Sequence, residues 1–283
     1  MMTDVKKKKF LRLLVSYSIL VFIVVAIIYP LLWTVGASFN PGNSLISTSI
    51  IPKNPTFDHY RELFAGKESL QYGQWYMNSI KISVFTMIGT VISVSFTAYA
   101  FSRFRFKGRK NALTLFLLLQ MIPQFSALIA LFVLAQLLGL MNSHWLLILL
   151  YIGGQIPMNT YLMKGYMDSI PYDLDESAKI DGASNTRIFW QVIMPLSKPM
   201  IAVVAMNGFT GPLGDFVMSS VILRTPESYT LPIGLYNLVN EVMGASYTTF
   251  AAGAILISIP VAIIFIMLQK NFVSGLTAGG TKG

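Results

Sequence analysis

Few residues in this chain are equipped for covalent or metal chemistry. There is no cysteine, so no thiolate nucleophile, thiolate metal site or disulfide framework is available. His59 and His144 lie far apart in expected loops and read as ordinary loop residues. The run Gly275-Leu276-Thr277-Ala278-Gly279-Gly280 imitates the glycine spacing of a phosphate loop. It continues as Thr281-Lys282-Gly283 instead of Lys then Ser or Thr, and no strand precedes it, so ATP binding by this chain is rejected. No His, Cys or carboxylate groups converge near one membrane depth, as an enzyme's site would require, so neither a catalytic residue nor a metal site is expected. What remains is a set of polar residues stranded in apolar runs. Asp215 is the clearest: an ionisable group in hydrocarbon is costly and normally faces a cavity or a partner. A structural partner and a transport role are both open for it. Gln120, Gln124, Gln155, Asn159 and Asn207 are candidates either to line a shared passage or to bond helix to helix.

The elements that must position these residues are set by composition. Of 283 residues, 54% are apolar and 12% charged, with a mean hydropathy of +0.61. A soluble domain carries about a quarter charged residues, so too little polar surface remains here to cover a water-soluble globule. The net charge of +9 does not indicate nucleic acid, because the basic residues flank long apolar runs instead of forming one face. A spanning helix needs roughly 20 apolar residues, and six stretches qualify: 10–35, 80–101, 112–138, 145–163, 199–223 and 250–268. The first follows the basic head Lys6–Lys9 but exceeds the core of a secretory signal, and reads as an uncleaved helix. With the N-terminus in the cytoplasm, only Lys53, Arg61, Lys67, Lys81 and Arg224 of the 21 Lys and Arg fall outside. Both termini are therefore expected in the cytoplasm. Gly208, Gly211, Pro212 and Gly214 should bend or interrupt the fifth span. Counting at ~1.5 Å per residue from Lys198, Asp215 lies about 25 Å up, near the outer leaflet.

The 164–198 connection is long for a structureless loop and needs its own explanation. Pro171-Tyr172-Asp173 reads as a helix start with acids in the first turn. Leu174 and Ala178 fall on one face, while Asp175 and Lys179 make an exposed i,i+4 pair. Gly182 stops this helix or admits another backbone closely. Ser184 caps a second segment running to Met194, which Pro195 ends. A membrane-surface connector is the plain alternative to a functional element.

The string Glu176-Ser177-Ala178-Lys179-Ile180-Asp181-Gly182, nine residues, then Val192-Ile193-Met194-Pro195 resembles the EAA loop of ABC importer permeases. The tail Gly275–Gly283 and the early run Trp33–Gly42 are similar to the maltose/maltodextrin G-type branch, and Met121-Ile122-Pro123 and Pro157 resemble the wider sugar-permease pattern. This resemblance implies an all-α membrane protein of six transmembrane helices with the type I, MetI-like permease fold. It implies residues 1–73 as an N-terminal segment, first helix and external loop, 74–270 as the permease core, and 271–283 as a cytoplasmic tail. Glu176, Ser177, Ala178, Asp181, Gly182, Ala183 and Pro195 would form the coupling loop that docks on an ATPase subunit. Leu276, Thr277, Ala278, Gly279 and Gly280 would extend between two ATPase subunits. The 224–249 loop would be the scoop that enters a sugar-binding protein, offering Tyr229, Tyr236, Asn237 and Asn240, types suited to sugar stacking and hydrogen bonding. Many sugar permeases carry Trp-Asn before the acid of the fifth span, where this chain has Leu213-Gly214-Asp215. Asn207 and Asp215 are the pathway candidates.

The implied function is one half of a pore for ATP-driven maltose/maltodextrin import across the cell membrane. Its partners would be a second permease in a heterodimer, two ATP-binding subunits, an extracytoplasmic sugar-binding protein and the lipid bilayer, with no nucleic acid. No cofactor would bind this chain, ATP being used by the partner subunits. The alternatives are another oligosaccharide or polyol as cargo, or an ion-coupled secondary transporter. The latter predicts midplane carboxylates and inverted repeats that the sequence lacks.

Overall fold

The computed structural model describes residues 2–43, 50–65, 70–240 and 246–279, the side chains of 2–7, 124–125 and 272–279 excepted. It is 80% helical, with no strand among the described residues. The helices are α1 (Met2–Ser38), α2 (Asp58–Leu63), α3 (Tyr72–Arg103), α4 (Arg109–Leu119), α5 (Leu128–Leu137) and α6 (His144–Asp168). The short α7 (Asp173–Ile180), α8 (Asn185–Ile188) and α9 (Met194–Leu196) follow, then α10 (Lys198–Gly214), α11 (Val217–Ile222), α12 (Leu231–Asn240) and α13 (Tyr247–Gly279). Contacts divide the chain into two units, residues 1–70 with 235–257 and residues 71–234 with 258–283.

In the first unit, α1 is apolar all round and its apolar window is wholly exposed, as befits a helix solvated by lipid. Below it, His59 is not a loop residue but a buried tie within α2. Its Nε2–H donates to the Asn40 carbonyl at 2.7 Å, and its Nδ1 lies 3.3 Å from the Thr249 hydroxyl, which donates to Glu62 Oε2 at 3.2 Å. Thr248 Oγ1 donates to the Gly42 carbonyl at 2.6 Å, joining the end of α1 to the start of α13.

The second unit is built on α3, α6 and α10, which pack pairwise. Its core joins Val94, Ala98 and Tyr99 of α3 to Met163 and Met167 of α6 and Val204 of α10. Gly208 explains how closely α10 and α3 approach: a Cβ there would lie 2.8 Å from the Cα of Met87. Small residues serve this purpose in lipid, where helices associate by close packing and not by hydrophobic exclusion. A Gly208→Ala chain is therefore expected to lose about 1–3 kcal/mol to overpacking, read as a lower unfolding midpoint in detergent. Gly153→Ala, which meets open space on α6, should be neutral or stabilising by up to ~1 kcal/mol. Equal midpoints for the two would overturn the packing account.

Four helical stretches are long and apolar enough to cross a membrane alone: Lys8–Ser38, Tyr72–Arg103, His144–Asp168 and Tyr247–Asn271. The expected third and fifth spans are broken. Residues 112–138 divide into α4 and α5 around Pro123, which lacks an N–H and disfavours helix at Ile122. At 11 and 10 residues, neither piece reaches across the ~30 Å hydrocarbon core. In the fifth, Gly208, Gly211 and Pro212 lie inside a continuous α10, contrary to the expected interruption, and the break falls at Asp215, whose ψ of 120° is extended. The last helix runs on to Gly279, so the segment expected as a flexible tail is helical in its backbone up to that residue.

Candidate functional site

The 164–198 segment takes the two-helix form its punctuation predicts. Helix α7 ends in a Schellman arrangement: Ala183 N–H donates to the Ala178 carbonyl at 2.9 Å, and Gly182 N–H to that of Lys179 at 3.0 Å. Gly182 has φ +80°, the left-handed conformation that side chains with a Cβ resist, and the space where a Cβ would go is empty. Ser184 Oγ then accepts from Arg187 N–H at 3.3 Å and caps α8. Glu176, Ser177, Asp181 and Gly182 are exposed, Ala178 and Ala183 half-buried, and Ile180 is 87% exposed at the tip.

Three details differ from expectation. Asp175 does not pair with Lys179 on the surface. It is buried, and Arg103 from the last turn of α3 lies with Nε 2.6 Å from Asp175 Oδ2, the two side chains 3% and 7% exposed. The inward face of α7 is thus Asp175 and Ala178, with Leu174 exposed. Nor does Pro195 end the second segment. The chain passes through a π-helical turn, Phe189–Ile193, into α9, and turns by 81° at Ser197 before α10. Pro195 lies early in α9.

The anchorage of this loop was hidden from sequence reading, which counted Arg103 only as a topological charge. Arg103 Nη1 and Nη2 donate to the carbonyls of Met167 and Ile170 at 3.0 and 3.1 Å, and the guanidinium lies 4.4 Å over the Tyr172 ring. Tyr172 Oη donates to the Ser102 carbonyl at 2.6 Å, and Ser102 Oγ to Asp168 Oδ1 at 2.7 Å. One cation therefore clamps the ends of α3 and α6 to the first turn of α7. The contact with Asp175 is a close charge pair and not an aligned hydrogen bond, and Asp175 Oδ1 has no hydrogen-bond partner. Beyond Gly182, Ile188, Phe189 and Ile193 are buried in the core of the unit, with Phe189 stacked on Phe96 at 4.9 Å. The loop is an exposed tip on a rigid root.

A second feature is a cavity of about 580 Å³ among the spans. Gln120, Gln155, Asn159, Asn207 and Asp215 all line it, which gathers the polar residues singled out in the sequence; the side chain of Gln124 lies outside the described residues. Asn207 Nδ2 donates to Asn159 Oδ1 at 3.1 Å, and Gln155 Oε1 has no hydrogen-bond partner. Asp215 has both kinds of role open to it. Its Oδ2 accepts from Tyr151 Oη at 2.6 Å and from Ser219 N–H at 2.9 Å, so it caps α11 while facing the cavity. Tyr151, also on the cavity wall, was missed because a tyrosine in an apolar run carries no signal of its own.

The candidates expected on the outer side divide. Tyr229 is half-buried, its Oη donating to the Arg224 carbonyl at 3.2 Å. Tyr236, Asn237 and Asn240 are exposed on a helix, α12, and not on a loop. His144 opens α6 and donates Nε2–H to the Ser228 carbonyl at 2.7 Å, again as a structural tie. Of the tail candidates, Leu276, Thr277, Ala278 and Gly279 have a helical backbone with undescribed side chains, and Gly280 lies outside the described residues.

Comparison with known proteins agrees with this architecture. Residues 89–277 match the model of a family described as "Binding-protein-dependent transport system inner membrane component". The chain is 83% identical, over the whole of both chains, to the galactooligosaccharides transport system permease protein GanQ of Bacillus subtilis (strain 168). It is 46% identical, again over the whole of both, to the maltodextrin transport system permease protein MalD of Streptococcus pneumoniae (strain ATCC BAA-255 / R6). A crystal structure of a bacterial ABC transporter that imports the acidic polysaccharide alginate shares its fold, with a TM-score of 0.74 at 22% identity over 92% of this chain and 95% of that one. These relatives are transport permease components and not enzymes. The exposed, rigidly rooted loop, the polar cavity between apolar spans and the full-length similarity together make this chain a multi-pass membrane permease of the binding-protein-dependent ABC sugar importer family.

Proposed function

We propose that this chain forms one half of the translocation pathway of an ATP-driven importer whose cargo is a galacto-oligosaccharide. The observation that carries the cargo is the 83% identity over full length to a galactooligosaccharide permease, against 46% for a maltodextrin permease. This replaces maltose/maltodextrin with a neighbouring neutral oligosaccharide and keeps the rest of the mechanism. A second permease subunit completes the pathway, two ATP-binding subunits drive it, and an extracytoplasmic binding protein delivers sugar. The N- and C-termini face the cytoplasm.

In this reading the tip around Glu176–Ala183 seats in the ATPase subunit. Ile180 supplies an apolar anchor and Glu176 a charge-assisted contact. Because Ile188, Phe189 and Ile193 are embedded in the core, a push on the tip moves the root and the spans as a body, a bistable rearrangement biased by nucleotide. The tail Leu276–Gly280 lies against the ATPase pair. Exposed Tyr236, Asn237 and Asn240 meet the binding protein. Asn207, Asp215 and the other polar residues of the cavity offer hydrogen bonds to passing hydroxyls. This chain performs no covalent step.

The test is reconstitution of the chain with its accompanying subunits in proteoliposomes. ATP hydrolysis should rise with binding protein carrying galactotetraose and stay basal with the same protein offered maltotetraose. Stimulation by maltotetraose alone would overturn the cargo. Uptake driven by an ion gradient without ATP would overturn the mechanism.

A further inference from the structure

The short connection between α3 and α4 forms a cationic concavity that the coupling mechanism leaves unused. It encloses about 560 Å³, lined by Arg105, Arg109, Lys110 and Lys164 with the apolar Phe106 and Leu113, and no acidic residue lines it. Of the four cations only Lys164 is neutralised, by Asp168 at 2.5 Å. The Arg109 guanidinium reaches only neutral carbonyls, those of Phe104 at 3.4 Å and Ser102 at 3.5 Å. The side chains of Arg105 and Lys110 make no hydrogen bond or ion pair among the described residues.

The backbone adds to this field. Helix α4 starts at Arg109 behind Gly108, with no side-chain cap and no acid in its first turn. Among the described residues the N–H groups of Lys110 and Asn111 have no acceptor. The positive end of an 11-residue helix therefore opens into a cluster that is already cationic. Like charges gathered in one hollow repel one another, and an anion from outside the chain placed among them relieves that repulsion.

We propose that this concavity binds the phosphate diester of an anionic phospholipid headgroup, such as that of phosphatidylglycerol. A phospholipid is favoured over a soluble anion because the site is amphiphilic. Phe106 and Leu113 give it an apolar wall, and along α4 above it Leu115, Leu118 and Leu119 are exposed at helical spacing, a surface for acyl chains. It is favoured over an acidic protein because the charged hollow continues into this apolar helix face, where a water-facing protein surface finds no complement. Basic hollows between spanning helices at the cytoplasmic surface suit such headgroups. The bound lipid relieves the repulsion and holds the α3–α4 connection beside Arg103, the residue that clamps the coupling loop. The assignment is independent of which sugar is carried.

The test uses the full chain, purified with its accompanying subunits, and fluorescent phosphatidylglycerol or phosphatidylcholine titrated in mixed micelles. The intact chain should prefer phosphatidylglycerol. R105Q alone should weaken its binding about fivefold, and R105Q/R109Q/K110Q on the order of a hundredfold, at the increment usual for each basic residue near a charged bilayer. The charge-keeping R105K/K110R chain should bind as the parent does, which separates lost charge from lost folding. R224Q, removing one cation elsewhere, should also bind as the parent does. Equal affinity for the two lipids, or unchanged binding by R105Q and the triple variant, would overturn the site. Displacement of the lipid by inorganic phosphate at equal concentration would make it a free-phosphate site and overturn the lipid. Loss of the ATPase subunits from the triple variant with lipid binding unchanged would make it a protein dock, and equally overturn it.

Discussion

A Gly182→Arg chain is expected to fold, insert and lose sugar uptake. At φ +80° a residue with a Cβ carries a conformational cost of about 1–2 kcal/mol, small enough for the rooted loop to bear. No atom lies within 4 Å of the position a Cβ would take, so the new side chain meets nothing in its own protein. The damage falls on whatever docks there. A bulky cation thrust into a close-packed contact costs about 2 kcal/mol or more, a loss of roughly thirtyfold in association. Co-purification of the ATPase subunits and ATP-dependent uptake should both fall accordingly, while the unfolding midpoint of the chain moves by only a few degrees. Gly182→Asn is the control, since asparagine tolerates the left-handed conformation and adds less bulk. It should retain most of the coupling. Normal assembly and transport in the Arg chain would end the docking account of this loop.

The second large effect concerns the clamp. Arg103→Met leaves the Asp175 carboxylate, 7% exposed, without its counter-charge. Breaking a buried pair in this way costs about 3–5 kcal/mol. The variant should unfold at a distinctly lower temperature in detergent, and complexes that survive should hydrolyse ATP without matching uptake, because α7 is no longer tied to α3 and α6. Adding Asp175→Leu removes the stranded charge and should recover a substantial part of the midpoint without restoring coupling. That non-additivity measures the pair. If Arg103→Met and the double variant were equally stable, Asp175 would not depend on Arg103, and the clamp would fail as an explanation.

The lipid site and the clamp share a cause. The end of α3 carries Arg103 inward and Arg105 outward within three residues. In a charge tally both are equal votes for a cytoplasmic side. In the fold one is a buried structural cation and the other an exposed one with no partner among the described residues. The sequence could not divide them, because the division depends on which side of a single helix end meets α6 and α7.

Much of this protein was legible residue by residue. Apolar runs located most of the helices, Gly182 and Ser184 marked the stop and the cap within the 164–198 loop, and Gln120, Gln155, Asn159, Asn207 and Asp215 turned out to share one cavity wall. Each of these signals acts within about one helical turn, through φ, a missing N–H, a capping oxygen or the dislike of a polar group for hydrocarbon. Where the signals competed locally, the outcome was less clear: Pro123 broke an expected span, while Pro212 sat near the end of one without breaking it earlier. The pairing of Arg103 with Asp175, the seat of Tyr151 on Asp215 and the close pass of Gly208 over Met87 belong to the tertiary structure alone. They join residues that are remote in the chain, and burial, which decides whether a charge is a solvated surface group or a structural bolt, exists only once the helices have packed.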